Sequence, residues 1–163
     1  MRLTPSGYED TFARDHLPPA ELWPVLEFTT DELQYPARLN AAVELVDIVV
    51  AAFGADRPAL RTPSGEMWTL GELQARSNQV ARVLVDELGL RPGNRVLLRS
   101  PNNPWTVAAW LGVLKAGGIV VTTFAALRAR EIVPLVERTR PVLALVDHRF
   151  ADDVAEAAPD LPL

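Results

Sequence analysis

The apolar positions change period several times along this chain, and each change marks an element. Between Asn103 and Lys115, Val107, Trp110, Leu111 and Leu114 recur at helical spacing, while Ala108, Ala109, Gly112 and Val113 leave almost no polar face. A helix without a polar side is expected to be buried. Asn103 supplies its N-cap, because the amide oxygen can accept a free first-turn N–H, and Pro104 suits the first helical position. Gly117 can adopt the left-handed conformation that closes a helix. After Gly118 the β-branched run Ile119-Val120-Val121-Thr122 reads as a buried strand.

Arg95 to Arg99 predicts a strand before this helix. Val142 to Val146 predicts another, after a helix over Arg128 to Arg138 closed by Thr139-Arg140-Pro141. Three strands joined by two helices make two successive βαβ units, hence a parallel sheet with right-handed crossovers. Upstream, Pro58 to Arg61 and Glu66 to Trp68 flank Thr62-Pro63-Ser64-Gly65, a small hairpin around a proline and glycine turn. Thr69-Leu70-Gly71-Glu72 is a capping box. The helix it opens has an inner stripe of Leu73, Ser77, Val80, Leu84 and Leu88, and Gly89 stops it. Asn40 caps an earlier helix through Leu45, Ile48, Val49 and Ala52, ended near Gly54, and Asp147 caps a short last one from Arg149 to Ala157.

Residues 1 to 39 show neither period. They combine Pro18, Pro19, Pro24 and Pro36 with Tyr8, Phe12, Trp23, Phe28 and Tyr35, the pattern of an extended leader whose aromatics pack onto a surface. Short helical turns are expected at Ala20 to Leu26 and Thr30 to Leu33. The fold class read from the pattern is therefore α/β, with a leader over 1–39 and an α/β unit over 40–163.

Composition narrows the function classes. With 163 residues, 48% of them hydrophobic, the chain has the make-up of one ordinary globular domain. Its most apolar stretch, Ala41 to Phe53, is broken by Glu44 and Asp47, so no membrane span is expected. The opening MRLTPSGYEDTF lacks the apolar segment of a secretory signal, and a cytoplasmic location is the expectation. There is no cysteine, hence no disulfide framework and no thiolate metal site, and the two histidines are far apart. A net charge of −5 argues against a nucleic-acid partner. The charge is unevenly spread: residues 57 to 140 carry 12 basic and 6 acidic side chains, whereas residues 1 to 56 carry 3 and 10. A basic middle suits either a phosphate-bearing small ligand or solvated helix faces.

The sequence lacks Gly-x-Gly-x-x-Gly, the Walker loop, the Gly-x-Ser-x-Gly elbow and His-Glu-x-x-His. Lys115-Ala116-Gly117-Gly118 follows a helix, whereas a phosphate loop precedes one, so these glycines read as a C-cap. Lys115, the sole lysine, suits the negative end of the helix dipole. Trp105 and Trp110 read as core, His16 and His148 as structural, and Asp147 as a helix cap. Arg128 and Arg130, at a helix start just past a strand end, are the candidates for a phosphate contact, with solvated surface arginines as the alternative. No catalytic or metal-ligating residue is assigned.

Two motifs then carry a resemblance. Trp68-Thr69-Leu70-Gly71-Glu72-Leu73 and Leu114-Lys115-Ala116-Gly117-Gly118-Ile119-Val120-Val121 resemble the first two core motifs of the adenylate-forming acyl-CoA synthetases, and Arg95-Val96-Leu97-Leu98 and Pro101-Asn102-Asn103-Pro104 fit between them. The leader, Tyr8-Glu9-Asp10-Thr11-Phe12-Ala13-Arg14-Asp15-His16-Leu17-Pro18-Pro19, together with Leu39-Asn40-Ala41-Ala42, is similar to the benzoate and 2-aminobenzoate CoA ligase branch. The resemblance implies the incomplete N-terminal portion of an adenylate-forming fold. It also implies ATP, CoA and magnesium as cofactors and a small aromatic acid as substrate. The acid carboxylate would attack the α-phosphate of ATP, and CoA sulfur would then displace AMP. The family's phosphate loop, its adenine and ribose motifs and its C-terminal lysine fall beyond the matched part, so the chain alone is expected not to turn over. The expected partner is the remainder of such a ligase, or a second copy of the chain. The alternative reading is a non-catalytic α/β interaction module or a truncated, inactive paralogue.

Overall fold

The computed structural model describes residues 6–25 and 27–163. In chain order the helices and strands are α1 (Phe12–Asp15), α2 (Ile48–Phe53), β1 (Pro58–Arg61), β2 (Met67–Thr69), α3 (Leu70–Arg82), β3 (Arg95–Arg99), α4 (Pro104–Lys115), β4 (Ile119–Thr123), α5 (Ala129–Thr139), β5 (Leu143–Val146) and α6 (Ala151–Ala157). β1 and β2 form the antiparallel hairpin, and the main sheet has the order β4-β3-β5. Both of its pairings are parallel, Arg95 opposite Ile119 on one side of β3 and Val96 opposite Leu143 on the other. The two βαβ units read from the sequence are therefore present, with β3, not the last strand, at the centre.

Alternation along β3 sends successive side chains to opposite faces. Val96 packs with Leu143, with Val113 and Ala116 of α4, and with Leu84 and Leu90. Leu97 packs on the other face with Ala144, Ile132 of α5 and Val154 of α6. A third cluster lies on the far side of α4, where Ala108 and Leu111 meet Leu73, Trp68, Ala42 and Val46. α4 is thus covered on two sides, which is why it needs no polar face. Its approach to α3 is close enough that a Cβ on Gly112 would lie 2.6 Å from Val80. Asn103 Oδ1 accepts the Thr106 N–H at 2.9 Å, and Gly117 leaves the helix at φ 76°, as the sequence predicts.

The structure corrects four expectations. Trp105 and Trp110 are 52% and 37% exposed rather than core, because the two surfaces that α4 packs against are filled by its alanines, leucine and valine. The helix after Asn40 turns Ala42, Val46 and Val50 inward and leaves Leu45 and Ile48 exposed, since Val43–Asp47 is a π-turn that widens the repeat. Leu88 is exposed for a related reason. A second π-turn, Val83–Glu87, rotates it outward, and Leu90, whose N–H bonds the Leu84 carbonyl, takes the core position. Finally, the leader aromatics behave unequally.

Glu9 and Asp10 donate their backbone N–H groups to the Pro92 carbonyl, and the Phe12 ring lies under the guanidinium groups of Arg95 and Arg140, 4.6 and 5.3 Å from its centroid. That end of the leader is docked. Phe28 and Tyr35 instead stack edge-to-face on each other and stay exposed. The expected helical turns appear as 3-10 turns at Ala20–Leu22 and Asp31–Leu33. Leu26, the expected end of the first, lies outside the described residues, as do leader residues 1–5.

Candidate functional site

The sheet order decides where a site can form. From β3 the chain crosses to β4 on one side, then passes back over β3 to β5 on the other. The connections that leave the paired carboxyl ends of β3 and β5 therefore part to opposite faces, a topological switch point of the kind where open parallel sheets bind ligands. A crevice of about 510 Å³ opens there. Leu98 and Leu145 floor it, Val80 and Val83 wall it, and Trp105 and Ala109 stand opposite. Polar groups gather at its strand-end rim. Thr106 Oγ1 donates to the Pro101 carbonyl at 2.7 Å and lies 2.8 Å from Ser100 Oγ, and the Asn103 amide donates to Ser100 Oγ at 3.2 Å. Apolar walls with a few convergent polar groups are what a small-molecule site requires.

Trp105 is held at the crevice mouth from behind. Its ring meets Trp68 edge-on at 5.4 Å, and the Arg76 guanidinium lies 4.2 Å from the Trp68 centroid and 5.2 Å from that of Trp105. Arg76 Nε is buried without a hydrogen-bond partner, so the two indoles are the main neighbours that this face of the cation finds.

Arg99 organises the other strand end. The side chain is fully buried, and it donates to the carbonyls of Phe124, Ala125, Leu127 and Phe150 and to the Asp153 carboxylate. A buried cation at the end of the central strand thus gathers in the whole β4–α5 loop and the start of α6. Arg95 does the same at the opposite end of β3, donating to the Thr139, Arg140 and Gly93 carbonyls and to Asp10. Neither arginine is singled out by motif. The available signal is their position, since a charge in a strand covered on both faces must find partners.

The candidates read from the sequence are not brought together. Arg128 and Arg130 lie at the start of α5, beyond the loop that Arg99 secures and outside the crevice lining. Arg128 is exposed and stands 3.7 Å from Asp153. Lys115 does not simply face the helix dipole: its Nζ donates to Asp47 Oδ1 and Asn78 Oδ1, both at 2.7 Å, with the side chain buried. Asp147 reaches the crevice but is occupied, accepting the Arg149 N–H at 3.1 Å and its guanidinium at 2.9 and 2.8 Å. Those hydrogen bonds, from the side chain first and the backbone second, hold its carboxyl far below the usual range. His148 is exposed, and His16 stacks on Phe12. Among the described residues no three His, Asp or Glu side chains converge as a metal site would need, and no helix is long and apolar enough to cross a membrane.

The adenylate-forming resemblance is tested by comparison. Residues 47–162 match the family model of the AMP-binding enzymes. A medium/long-chain fatty acid and 3-oxocholest-4-en-26-oate CoA ligase of Mycolicibacterium smegmatis is 32% identical over 123 residues, 74% of this chain and 22% of that protein. A 3-hydroxybenzoate CoA ligase of Aromatoleum sp. strain CIB is 31% identical over 76% of this chain and 23% of its own length. Among solved structures, the anthranilate CoA ligase AuaEII in complex with anthranoyl-AMP superposes with a TM-score of 0.70 at 26% identity, over 78% of this chain and 24% of that one. The chain thus spans less than a quarter of the length of these relatives. Motifs, parallel sheet and family match agree: the chain belongs to the AMP-binding enzymes and corresponds to the N-terminal part of an adenylate-forming CoA ligase.

Proposed function

We propose that the chain serves an ATP-dependent ligase that joins an aromatic acid of the benzoate or 2-aminobenzoate class to CoA. A carboxylate oxygen attacks the α-phosphorus of ATP and pyrophosphate leaves. The CoA sulfur then attacks the acyl carbon and AMP leaves. The observation that carries the aromatic class is the superposition on the anthranilate CoA ligase, supported by the 3-hydroxybenzoate CoA ligase relative.

Within this reading the chain is scaffold rather than catalyst. Adenylation must stabilise charge gathering on the α-phosphate and on departing pyrophosphate, which needs converging donors, a cation and a metal. The sole lysine is committed to Asp47, and among the described residues the carboxylates do not cluster to fit magnesium. What the chain contributes is the crevice, the loop held by Arg99, and Arg128 and Arg130 at the α5 start as a CoA or phosphate contact. Residues 1–39 act as a leader, docked through Glu9, Asp10 and Phe12 at the amino end of the sheet, and 40–163 as the partial α/β unit.

ATP–pyrophosphate exchange with benzoate or 2-aminobenzoate tests this. The chain alone should give none, and exchange should appear when the downstream portion of a related CoA ligase is added. Exchange by the chain alone would overturn the scaffold role; no exchange on complementation would favour the non-catalytic interaction module.

A further inference from the structure

A second cavity, of about 900 Å³, lies away from the crevice, between the leader and the turn that joins α4 to β4. Leu114, Gly117 and Pro92 line it from the body of the protein. Tyr8 and Leu17 line it from the start of the leader, and Pro36 and Leu39 from its end. Both leader segments are anchored. Tyr8 packs on Gly93, where a Cβ would come 2.9 Å from Tyr8 Cβ, and the next two residues bond the Pro92 carbonyl. At the other end the Asn40 amide donates to the Leu114 carbonyl at 2.7 Å, while its oxygen accepts the Ala42 N–H. Between these anchors the leader bonds to itself, Trp23 to the Pro18 carbonyl and Gln34 to that of Phe28. The cavity is therefore complete only while the start of the leader is docked.

Charge sets this cavity apart. Residues 1–56 hold ten acidic side chains and only three basic ones, Arg2, Arg14 and Arg38. Arg14 and Arg38 both line the cavity, and among the described residues around it there is no Asp or Glu. The crevice has the opposite character: no Lys or Arg lines it, and its one charged residue, Asp147, is tied to Arg149. Apart from Tyr8 the apolar side chains of the cavity are aliphatic. Guanidinium groups beside aliphatic walls are complementary to a carboxylate that carries a hydrocarbon tail.

We infer that this cavity is a second small-molecule site, for an amphipathic carboxylate, and that its occupation holds the leader on the body of the protein. Arg14 and Arg38 take the carboxylate, and the tail lies along Leu17, Leu39 and Leu114. Leader and body each supply part of the lining, so the ligand binds the docked form in preference to the released one and shifts that equilibrium by mass action. The inference is independent of the ligase reading, because every group it uses belongs to this chain.

Isothermal titration of the full chain with octanoate, kept below its micelle concentration, should give a single saturable event, and octanol should bind about tenfold or more weakly. Arg38→Gln should lower octanoate affinity about tenfold and leave that of octanol unchanged. Phe12→Ala loosens the leader from Arg95 and Arg140 without altering the cavity lining, and it too should weaken octanoate about tenfold. Val83→Asp, in the crevice, should leave octanoate binding as it is. Saturating octanoate should slow amide hydrogen exchange at Glu9 and Asp10 about tenfold, since those N–H groups bond the Pro92 carbonyl only while the leader is docked. Circular dichroism checks that the three variants are folded. Absence of octanoate binding, equal binding of octanol, or loss of binding in Val83→Asp but not in Arg38→Gln would overturn the site. Unchanged exchange at Glu9 and Asp10, or full affinity in Phe12→Ala, would overturn its coupling to the leader.

Discussion

At the scale of single residues, the sheet is organised by two arginines whose charges are buried. Arg99 offers a planar fork of donors to four carbonyls and a carboxylate, a set that no other side chain can satisfy. Replacing it by leucine removes five hydrogen bonds at once and leaves Asp153 with only the Ala129 N–H and the more distant Arg128. Urea unfolding should show Arg99→Leu destabilised by about 3 kcal/mol or more, and Arg99→Lys should recover only part, because one ammonium cannot reach all of the acceptors. Asp10 at the other end gives a pH-dependent counterpart. A backbone N–H from Phe12, then hydrogen bonds from Arg95 and Asn94, hold its carboxyl below the ordinary 3.8. A depressed carboxyl contributes stability above its unfolded value and loses it as pH falls through the folded value. The melting temperature of Asp10→Asn should therefore lie below that of the parent protein at pH 6, and the gap should close as pH falls below about 3.8.

At the scale of elements, the contact between α3 and α4 is the tightest joint. Gly112 lets the helices approach, with Ser77 and Val80 beneath it. Gly112→Val should cost about 1 to 3 kcal/mol in urea unfolding through overpacking, without changing helix content by circular dichroism. Elements with strong local signals were legible. The capping box at Thr69 and Glu72 forms with both bonds, at 3.2 and 2.8 Å, and the hairpin, the Asn103 cap and the strands lie where the pattern puts them. What misled the pattern was the period itself. π-turns at Val43–Asp47 and Val83–Glu87 change which residues face inward, and nothing local in an apolar stretch announces a fifth residue in the turn.

At the scale of the whole molecule, the exposed apolar residues are unevenly placed. Leu45, Ile48 and Phe53 are 59%, 49% and 62% exposed along one helical segment, and Leu88 and Val85 add to the surface. Such surface is expected to associate. Light scattering should show apparent mass rising with concentration, together with binding of a hydrophobic dye. Leu45→Lys combined with Phe53→Lys should reduce both. A clean monomer at high concentration without dye binding would instead describe a self-sufficient module.

The sequence by itself determined the elements, their parallel connection and the family, because caps, turn residues and motif spacing act over a few residues and are written in order along the chain. It placed Arg128 and Arg130 at a helix start, where the structure also has them. Only the tertiary structure decided the strand order, and with it the switch point at which the crevice opens over Leu98 and Leu145. Only the tertiary structure made Arg95 and Arg99 buried hubs, tied Lys115 to Asp47, and left Trp105 at the crevice mouth. These outcomes depend on pairs separated by tens of residues, such as Arg99 with Asp153 or Lys115 with Asp47. No local period encodes which distant carbonyl or carboxylate a side chain will meet; packing the layers decides it.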